Sequence, residues 1–382
     1  MTHDEPIVPI AVVGAGLAGL ATVIALQHNG FNPIVYEQSG RLGEVGGPLG
    51  ISPVTLRLFE RWGLLADFEA MSSPTRFLEE RNQVGRVELV IDFTALDAKH
   101  SEQGEFGYAD LELPPRTVHR ADLHRLMVGH VPSSRFRMNH RLESISERDK
   151  YVELRFSNGV ATRAGLVIGA DGIHSRIRRM FSTDKKRYCG SVIFRSVSPA
   201  ASLVTLPNDR LRTWTSGGGS RSTILMPVRA GRQVSIDATL GVDEPPAQLW
   251  SAQANVEALA RQFDDFDPVV PRVIRSSINK VFMHPVYDRD PIRVWTSPRI
   301  ALVGDAAHPM TPFGGHGANQ AVQDGAVLAD QIFSVHPGAY PEALRRYQAI
   351  RTRETAAIQQ ASREAADRQT RVAVRLSDIL LS

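Results

Sequence analysis

The sequence predicts a three-layer α/β fold built on a parallel sheet, with an inserted, mainly β domain and a C-terminal helical segment. Two observations predict it. Apolar runs at residues 9–13, 165–170 and 299–303 are each followed by glycine or an Asp-Gly or Gly-Asp pair, which is typical of buried parallel strands. Between residues 188 and 280 the pattern changes to several β-like runs, which indicates a separate sheet.

The chain opens with a β-α-β unit. Residues 9–13 (Pro-Ile-Ala-Val-Val) predict a strand, and apolar residues at helical spacing from Leu17 to Leu26 predict a helix that ends before Gly30. Residues 33–37 (Pro-Ile-Val-Tyr-Glu) predict a second strand, and the crossover between the two should be right-handed. Further predicted elements are strands within 75–97, at 151–156, 165–170, 191–197, 221–228, 234–240 and 299–303, and helices at 119–128, near 251–263, from about 318 and over 339–380.

The order of these elements predicts a discontinuous first domain. We expect residues 1–72, 100–185 and 281–337 to form the nucleotide-binding domain. Residues 73–99 and 186–280 should form the substrate-binding β-sheet domain, and residues 338–382 the C-terminal helices.

Composition indicates an ordinary globular protein. The 382 residues are 42% hydrophobic and 22% charged, with a net charge of +3, so nucleic acid is not an expected partner. Basic residues cluster between Arg176 and Arg187, either as a solvated face or as a basic lip that attracts phosphates. The single cysteine, Cys189, cannot form an internal disulfide, which fits a reducing cytoplasm. We expect no signal peptide, no membrane span and no metal site, and either a monomer or a homodimer.

The first motif is Gly14-Ala-Gly16-Leu17-Ala18-Gly19, between the first strand and the first helix. Its glycines permit a tight turn, a close approach by a pyrophosphate and close packing of helix on strand. Glu37 ends the second strand, where a carboxylate can accept both hydroxyls of an adenosine ribose. Together they predict a Rossmann-type dinucleotide site. The alternative is a tight turn without a ligand.

Two further motifs separate FAD from NAD. Residues 169–176 read Gly-Ala-Asp-Gly-Ile-His-Ser-Arg, and residues 304–309 read Gly-Asp-Ala-Ala-His-Pro. With the first motif, they make the chain resemble the para-hydroxybenzoate hydroxylase fold family, the single-component FAD monooxygenases, over essentially its whole length. Residues 287–291 (Tyr-Asp-Arg-Asp-Pro) are similar to the salicylate- and phenazine-hydroxylating branches.

The resemblance implies an FAD-dependent monooxygenase that holds its flavin non-covalently. NADH or NADPH, bound transiently across the FAD-binding domain, would reduce the flavin. The reduced flavin would then react with O2 to give a C4a-hydroperoxide that hydroxylates a small aromatic or heteroaromatic substrate. The same fold also supports halogenation, epoxidation, Baeyer–Villiger oxygenation and reduction. A halogenase is disfavoured because Trp62, Trp214, Trp250 and Trp295 stand apart instead of forming a Trp-x-Trp motif. A non-enzymatic FAD-binding protein is the alternative of another class.

The resemblance also implies residue roles. Asp305, after Gly304, would bind a ribityl hydroxyl, and Arg120 would lie beside the ribityl and phosphate groups. Asp171 and Gly172 would lie near the pyrophosphate, although Asp171 taken alone could simply cap the next helix. The remaining predicted contacts are Leu142 to the adenine through its backbone, and Gln38 and Arg41 near Glu37.

The segment 312–320 carries a glycine loop directly before a helix. The helix aims its partial positive charge at whatever lies in front, which would favour an anionic reduced flavin. Predicted cofactor contacts here are Pro312, Gly315, Gly317, Ala318 and Asn319. His316 stands where many relatives carry glutamine; it is a candidate catalytic residue, as a substrate contact or a pH-sensitive group, or else a spectator.

Substrate contacts are predicted at Gly50, Arg195, Trp214 and Phe313. Arg195 and Trp214 lie on predicted strands that should roof the flavin. Arg195 could bind an acidic substrate or form an ion pair within its sheet. No histidine base is evident near Gly50, and Ser52 is a weaker candidate in that stretch.

Overall fold

The computed structural model describes residues 7–43, 46–93, 113–203, 206–243, 252–336, 339–368, 376 and 379–380. The strands are β1 (Val8–Val13), β2 (Ile34–Tyr36), β3 (Pro48–Ile51), β4 (Ser73–Pro74), β5 (Phe77–Asn82), β6 (Val87–Asp92), β7 (Arg116–His119), β8 (Phe136–Arg137), β9 (Leu142–Glu147), β10 (Val152–Phe156), β11 (Ala161–Gly169), β12 (Arg187–Pro199), β13 (Arg210–Thr215), β14 (Arg221–Val228), β15 (Gln233–Gly241), β16 (Gln253–Ala254), β17 (Val281–Asp288) and β18 (Ile300–Leu302). The helices are α1 (Leu17–His28), α2 (Pro53–Arg61), α3 (Leu65–Met71), α4 (Arg120–Gly129), α5 (Val256–Arg261), α6 (Val269–Arg275), α7 (Gly317–Phe333) and α8 (Tyr340–Asp367).

The first sheet runs in the order β8-β2-β1-β11-β10-β9, with β18 paired to β11. The strands β8, β2, β1, β11 and β18 are mutually parallel, whereas β10 and β9 are antiparallel additions. Helix α1 packs on α7 so closely that a Cβ at Gly325 would lie 2.7 Å from the backbone nitrogen of Thr22. The predicted parallel sheet and its opening β-α-β unit are confirmed.

The second sheet has eight strands in the order β16-β17-β12-β15-β14-β13-β5-β6. It confirms the mainly β region expected from the sequence. A second hydrophobic core lies between this sheet and helices α5 and α6, with Phe263 and Val270 at its centre. The strands of this sheet are antiparallel apart from the parallel pair β13 and β5.

One expected boundary is corrected. The sequence assigns residues from 281 onwards to the first domain, but β17 pairs with β12 and β16 in the second sheet. The strand was missed because His284 and Pro285 interrupt its apolar pattern. The helix expected near 251–263 is shorter, because β16 precedes it. The rest of the domain division remains a proposal, and parts of it, such as residues 100–112, lie outside the described residues.

The small third sheet runs in the order β3-β7-β4, and the hydroxyl of Thr117 on β7 donates to the carbonyl oxygen of Pro227 on β14 of the second sheet. The C-terminal segment is helical over Tyr340–Asp367, as expected, and most of the predicted helix beyond residue 368 lies outside the described residues. No helix in the described part of the chain combines the length and apolar character needed to span a bilayer.

The parallel strands place the motifs together. Because β1, β11 and β18 run in the same direction, their carboxyl ends meet at one edge of the sheet. The first motif follows β1, the second follows β11, and the third follows β18. Three segments that are far apart in sequence therefore lie at one edge of the sheet.

Candidate active site

A cavity of about 650 Å³ opens at this edge of the first sheet. It is lined by residues of the first two motifs and of the segments that follow β2 and precede β9. Predicted cofactor residues that line it are Gly14, Gly16, Glu37, Gln38, Arg41, Leu142, Asp171 and Gly172. The remaining predicted cofactor residues lie on elements outside this cavity.

Glycine is required at both ends of the first motif. Gly14 has φ +107°, and a Cβ there would collide with the carbonyl oxygen of Ala170. A Cβ at Gly19 would collide with the carbonyl oxygen of Gly14. Gly16 precedes α1 without any side-chain cap, so the first N–H groups of the helix remain available to an anion. Leu17, Ala18 and Gly19 form the first turn of α1.

Glu37 spans the turn beside this helix. One carboxylate oxygen accepts a hydrogen bond from the backbone N–H of Ala15, and the other accepts one from Ser39, each at 2.8 Å. Each oxygen keeps further acceptor capacity, since a carboxylate oxygen accepts more than one hydrogen bond. The side chain is thus fixed at the cavity wall and can still accept hydroxyl groups.

The two carboxylate oxygens of Asp171, in the second motif, have different surroundings. Oδ2 accepts hydrogen bonds from the backbone N–H groups of Arg176 (2.7 Å) and Ile177 (3.4 Å), which is the capping role that the sequence left open. Oδ1 is buried and finds no partner among the described residues. Burial raises the pKa of this carboxyl group. Oδ1 is therefore an acceptor, or a donor when protonated, that a bound group could satisfy.

The basic run 176–187 is not a uniform face or lip. Arg178 is 0% exposed and forms an ion pair with Asp184 at 3.0 Å. Its Nη1 donates to the carbonyl oxygens of Ala306 and Ala307, in the third motif. Neither alternative drawn from the sequence describes Arg178, because its contacts are internal. Arg176 and Arg179 are exposed and line the cavity.

The third motif lies against the first. Gly304 has φ +58°, and a Cβ there would lie 2.6 Å from Cβ of Ala18. The N–H of Gly304 donates to Asp324 Oδ2 at 2.7 Å, which fixes the turn on α7. Asp305, the next residue, is exposed at the end of β18. Asp305 thus directly follows the glycine that packs on the first turn of α1.

A second group of predicted residues surrounds the start of α7. The amide of Asn319 donates to the carbonyl oxygens of Gly50 (2.9 Å) and Gly315 (3.4 Å), and its oxygen accepts from the N–H of Ser52. The amide is thereby occupied, so any cofactor contact by Asn319 would come from its backbone. Ser52 is likewise a structural partner. Pro312, Gly315, Gly317 and Ala318 lie on the same loop and first helical turn.

His316 immediately precedes α7. Burial lowers the pKa of its imidazole to about 4. The ring is therefore neutral at pH 7, which argues against a cationic role.

Arg120 begins α4, and its side chain lies against Gly46, where a Cβ would be 2.6 Å from Cδ of the arginine.

The face of the second sheet that looks towards β3 carries Arg195. Its Nε donates to Asp237 Oδ2 at 3.1 Å, the ion pair that the sequence allowed as one alternative. A Cβ at Gly47 would lie 2.7 Å from Asp237 Oδ1 and 2.8 Å from Arg195 Nε. Phe313 packs against Ile193 on the same face of β12. Arg195 therefore lies against the residue that precedes β3, and Phe313, from the segment 312–320, packs on the same face of β12.

Trp214 is a correction. The sequence places it in the roof over the flavin, but its side chain is 0% exposed and belongs to the second core. Its indole N–H donates to Asp267 at 3.1 Å. Trp214 shares a core with α5 and α6, which lie on the face of the sheet opposite to Arg195.

Comparison with known proteins assigns the arrangement to a family. The family described as "FAD binding domain" matches residues 7–362. The chain is 33% identical over 360 residues to 3-amino-4-hydroxybenzoate 2-monooxygenase of Streptomyces cremeus, covering 94% of this chain and 86% of that protein. The chain belongs to the FAD-binding flavoprotein monooxygenases. The family resemblance drawn from the three motifs is confirmed.

Two further matches agree. This monooxygenase is 29% identical over 360 residues to 6-hydroxynicotinate 3-monooxygenase of Bordetella bronchiseptica, covering 93% of this chain and 90% of that protein. The structure of Klebsiella pneumoniae HpxO complexed with FAD and uric acid matches with a TM-score of 0.80 and 25% identity, covering 94% of this chain and 88% of that chain.

The residues of the monooxygenase fit FAD. The orphaned Oδ1 of Asp171, the acceptor capacity of Glu37 and the uncapped start of α1 meet in one cavity. They supply what a dinucleotide requires: acceptors for hydroxyl groups and N–H donors for a pyrophosphate. Cys189 is buried, and burial raises the pKa of its thiol to about 12, which disfavours the thiolate that a covalent tether would need.

Sequence reasoning missed several residues of the monooxygenase site. Asp324 and Arg351 form a buried pair at 2.7 Å, and Asp324 also accepts from His308 at 2.6 Å. Burial opposes ionisation of Asp324, but His308 and Arg351 hold its pKa below the usual value. Asp237 was also missed. No local motif marks either acid. A buried charge on a helix of apolar periodicity, as at Asp324, was the one available hint.

Proposed function

We propose that this FAD-dependent monooxygenase consumes NADH or NADPH and O2 to hydroxylate an aromatic or heteroaromatic ring that carries a hydroxyl and a carboxylate group. The substrates named for its relatives, 3-amino-4-hydroxybenzoate and 6-hydroxynicotinate, carry both groups on one ring. Full-length similarity to these proteins supports the same substrate class.

The cofactor placement follows from the cavity and the third motif. The cavity would take the adenosine diphosphate half of FAD, with Glu37 on the ribose and the start of α1 on the pyrophosphate. Asp305 and the segment 312–318 would hold the ribityl chain and the ring. When bound, FAD supplies hydride acceptance and oxygen activation. The chain's residues orient it and exclude water.

Arg195 is the observation that carries the substrate class. It is a cation on the face of the second sheet that lies against Gly47, directly before β3. Its Nε is held by Asp237, and within the described residues its two terminal nitrogens have no hydrogen-bond partner. A guanidinium fixed through Nε presents the other two nitrogens as a pair, which matches a carboxylate. Arg195 would therefore anchor the carboxylate and orient the ring.

We propose no side chain as a strong base that removes the proton from the ring hydroxyl of the substrate. His316 has a pKa of about 4, so it would remain a neutral hydrogen-bond partner of the substrate or the flavin. Gly50 leaves open space, since a Cβ there would meet no atom within 4 Å. We propose this space, between Gly50 and Phe313, as the place of the substrate ring.

The test is a matched panel of ring compounds. Hydroxybenzoates and hydroxynicotinates are compared with phenols and hydroxypyridines that lack the carboxylate, and NADH and NADPH oxidation is followed for each. We expect slow oxidation without a ring compound and a rise of about tenfold or more with the right acid, which is about 1.4 kcal/mol in barrier. Arg195→Gln should abolish the preference for carboxylates. With labelled dioxygen, one labelled atom should appear in the product; an unlabelled product would overturn the hydroxylation.

A further inference from the structure

The C-terminal helix α8 is hydrogen-bonded to the loop that leads into α7. We call residues 309–316 the flavin-side loop. The amide of Gln359 in α8 donates to the carbonyl oxygen of Pro309 at 2.9 Å and to that of Arg289 at 3.0 Å. Ser362, one helical turn later, contacts Thr311. The side chains of Gln359, Ser362 and Thr311 are buried, so these contacts are shielded from water.

Thr311 and Ser362 form a reciprocal pair. The hydroxyl of Thr311 donates to the carbonyl oxygen of Ser362 at 2.6 Å, and the hydroxyl of Ser362 donates to the carbonyl oxygen of Thr311 at 2.7 Å. A buried hydroxyl in a helix can bond within the helix, as Thr355 does with the carbonyl oxygen of Arg351 at 2.8 Å. Ser362 instead bonds outward to the loop. The pair therefore joins two backbones that are 51 residues apart.

The loop is also held at its tip and at its end. Phe313 packs in a small apolar cluster with Ala366 of α8 and Ile193 of β12. The N–H of Gly315 donates to the carbonyl oxygen of Pro312 at 3.0 Å. His316 then precedes α7, whose first residue is Gly317. A shift at Thr311 would thus be passed along a short, turned segment to the start of α7.

We propose that Ser362 and Thr311, with Gln359, are positioning residues that set the distance between the start of α7 and the ring of bound FAD. We assign none of them a contact with the cofactor; they act through the flavin-side loop. The partial positive charge at a helix start falls off within about one turn. A small withdrawal of α7 therefore weakens its stabilisation of negative charge on the reduced flavin. The inference rests on FAD binding and is independent of which ring compound is the substrate.

The experiment measures the reduction potential of the bound flavin in three variants. Ser362→Ala and Thr311→Val each remove one hydroxyl of the pair, from opposite sides. Thr355→Val is the matched control, because it removes an equally buried hydroxyl of α8 that bonds only within the helix. Potentials are measured by equilibration with a redox dye, without any ring compound, and the FAD dissociation constant and the thermal midpoint are recorded alongside.

We expect Ser362→Ala and Thr311→Val each to lower the midpoint potential by about 30 mV, a tenfold change in the two-electron equilibrium. The double variant should fall little further, because both changes remove the same pair. Ser362→Thr, which retains a hydroxyl, should restore the potential. Thr355→Val should leave it unchanged.

A lower thermal midpoint with an unchanged potential in both pair variants would overturn the inference and leave a purely structural contact. An equal fall in Thr355→Val would overturn it as well. Should Ser362→Ala fail to fold, Thr311→Val tests the same pair without altering α8. If no ring acid is hydroxylated, the proposed substrate class is refuted, but the measured potentials still test the role of Ser362 and Thr311. A failure of the proposed substrate and a failure of this inference are therefore distinguishable.

Discussion

Asp324→Asn tests whether the buried acid of α7 holds the third motif in place. The carboxylate of Asp324 is 0% exposed and accepts three hydrogen bonds: from the N–H of Gly304, from His308 and from Arg351. Asparagine is nearly the same size, so the change removes charge and one acceptor without leaving a cavity. It leaves the guanidinium of Arg351, itself 1% exposed, without its buried counter-charge.

The magnitude follows from burial. Removing one partner of a buried ion pair costs about 3–5 kcal/mol of unfolding free energy, because the remaining charge is uncompensated. Arg351 keeps its contacts with Glu354 and with the side chain of Gln320, so we expect the lower end of this range. FAD retention should fall too, since the turn at Gly304 presents Asp305.

The assay is denaturant unfolding, with Asp330→Asn as the control on the same helix. Asp330 pairs with Arg61, but both side chains are about 40% exposed (41% and 40%), so the loss should be about 0–1 kcal/mol. Chemical unfolding of both variants and FAD titration of the apoproteins give the comparison. A loss in Asp324→Asn no larger than that in Asp330→Asn would refute the reasoning.

Three further outcomes are expected. Asp305→Ala should weaken FAD binding by about 10- to 150-fold, the effect of one charge-assisted hydrogen bond, with unchanged unfolding of the apoprotein; unchanged affinity in a titration would contradict the cofactor placement. Ala230→Gly should raise unfolding free energy by about 0.5–1 kcal/mol, because Ala230 has φ +55°, whereas Gly231→Ala (φ +74°) should lower it. His316 has a folded pKa of about 4, below its unfolded value of about 6.5, so its stabilisation is present above pH 6.5 and lost as the pH falls towards 4. His316→Gln should therefore flatten the pH dependence of unfolding in that window by up to about 3 kcal/mol; an unchanged slope would contradict it.

The fold was predictable where local patterns decide it. The β-α-β unit from Val8 to Tyr36 follows from an apolar run, glycines and helical spacing that all lie within 30 residues. The strand β17 was missed for the opposite reason: its alternation is interrupted by His284 and Pro285, and its place is decided by pairing with β12, about 90 residues earlier.

The site was predictable only in part, because periodicity tells which residues share a face and not which face looks at the ligand. Arg195 and Trp214 lie on strands of one sheet, and both were expected to face the flavin. Strand β12, which carries Arg195, is buried on both faces, so no polar alternation marks its outer side. Strand β13, which carries Trp214, does alternate in burial, but the alternation does not show which face meets the ligand. Arg195 lies on the face towards β3 and Trp214 in the second core.

Hydrogen bonds and packing contacts within the protein hold together the segments that carry the three motifs. These contacts bear on how the cofactor site forms. Arg178, two residues after the second motif, donates to the carbonyl oxygens of Ala306 and Ala307 in the third. Gly304 of the third packs on Ala18 of the first. These contacts are internal and require no ligand. The cavity walls are therefore arranged before FAD enters, so little of the binding free energy is lost to ordering the chain. Arg178 and Asp324, which fix this arrangement, are buried charges outside the three motifs, and this explains why the motifs alone do not reveal their role.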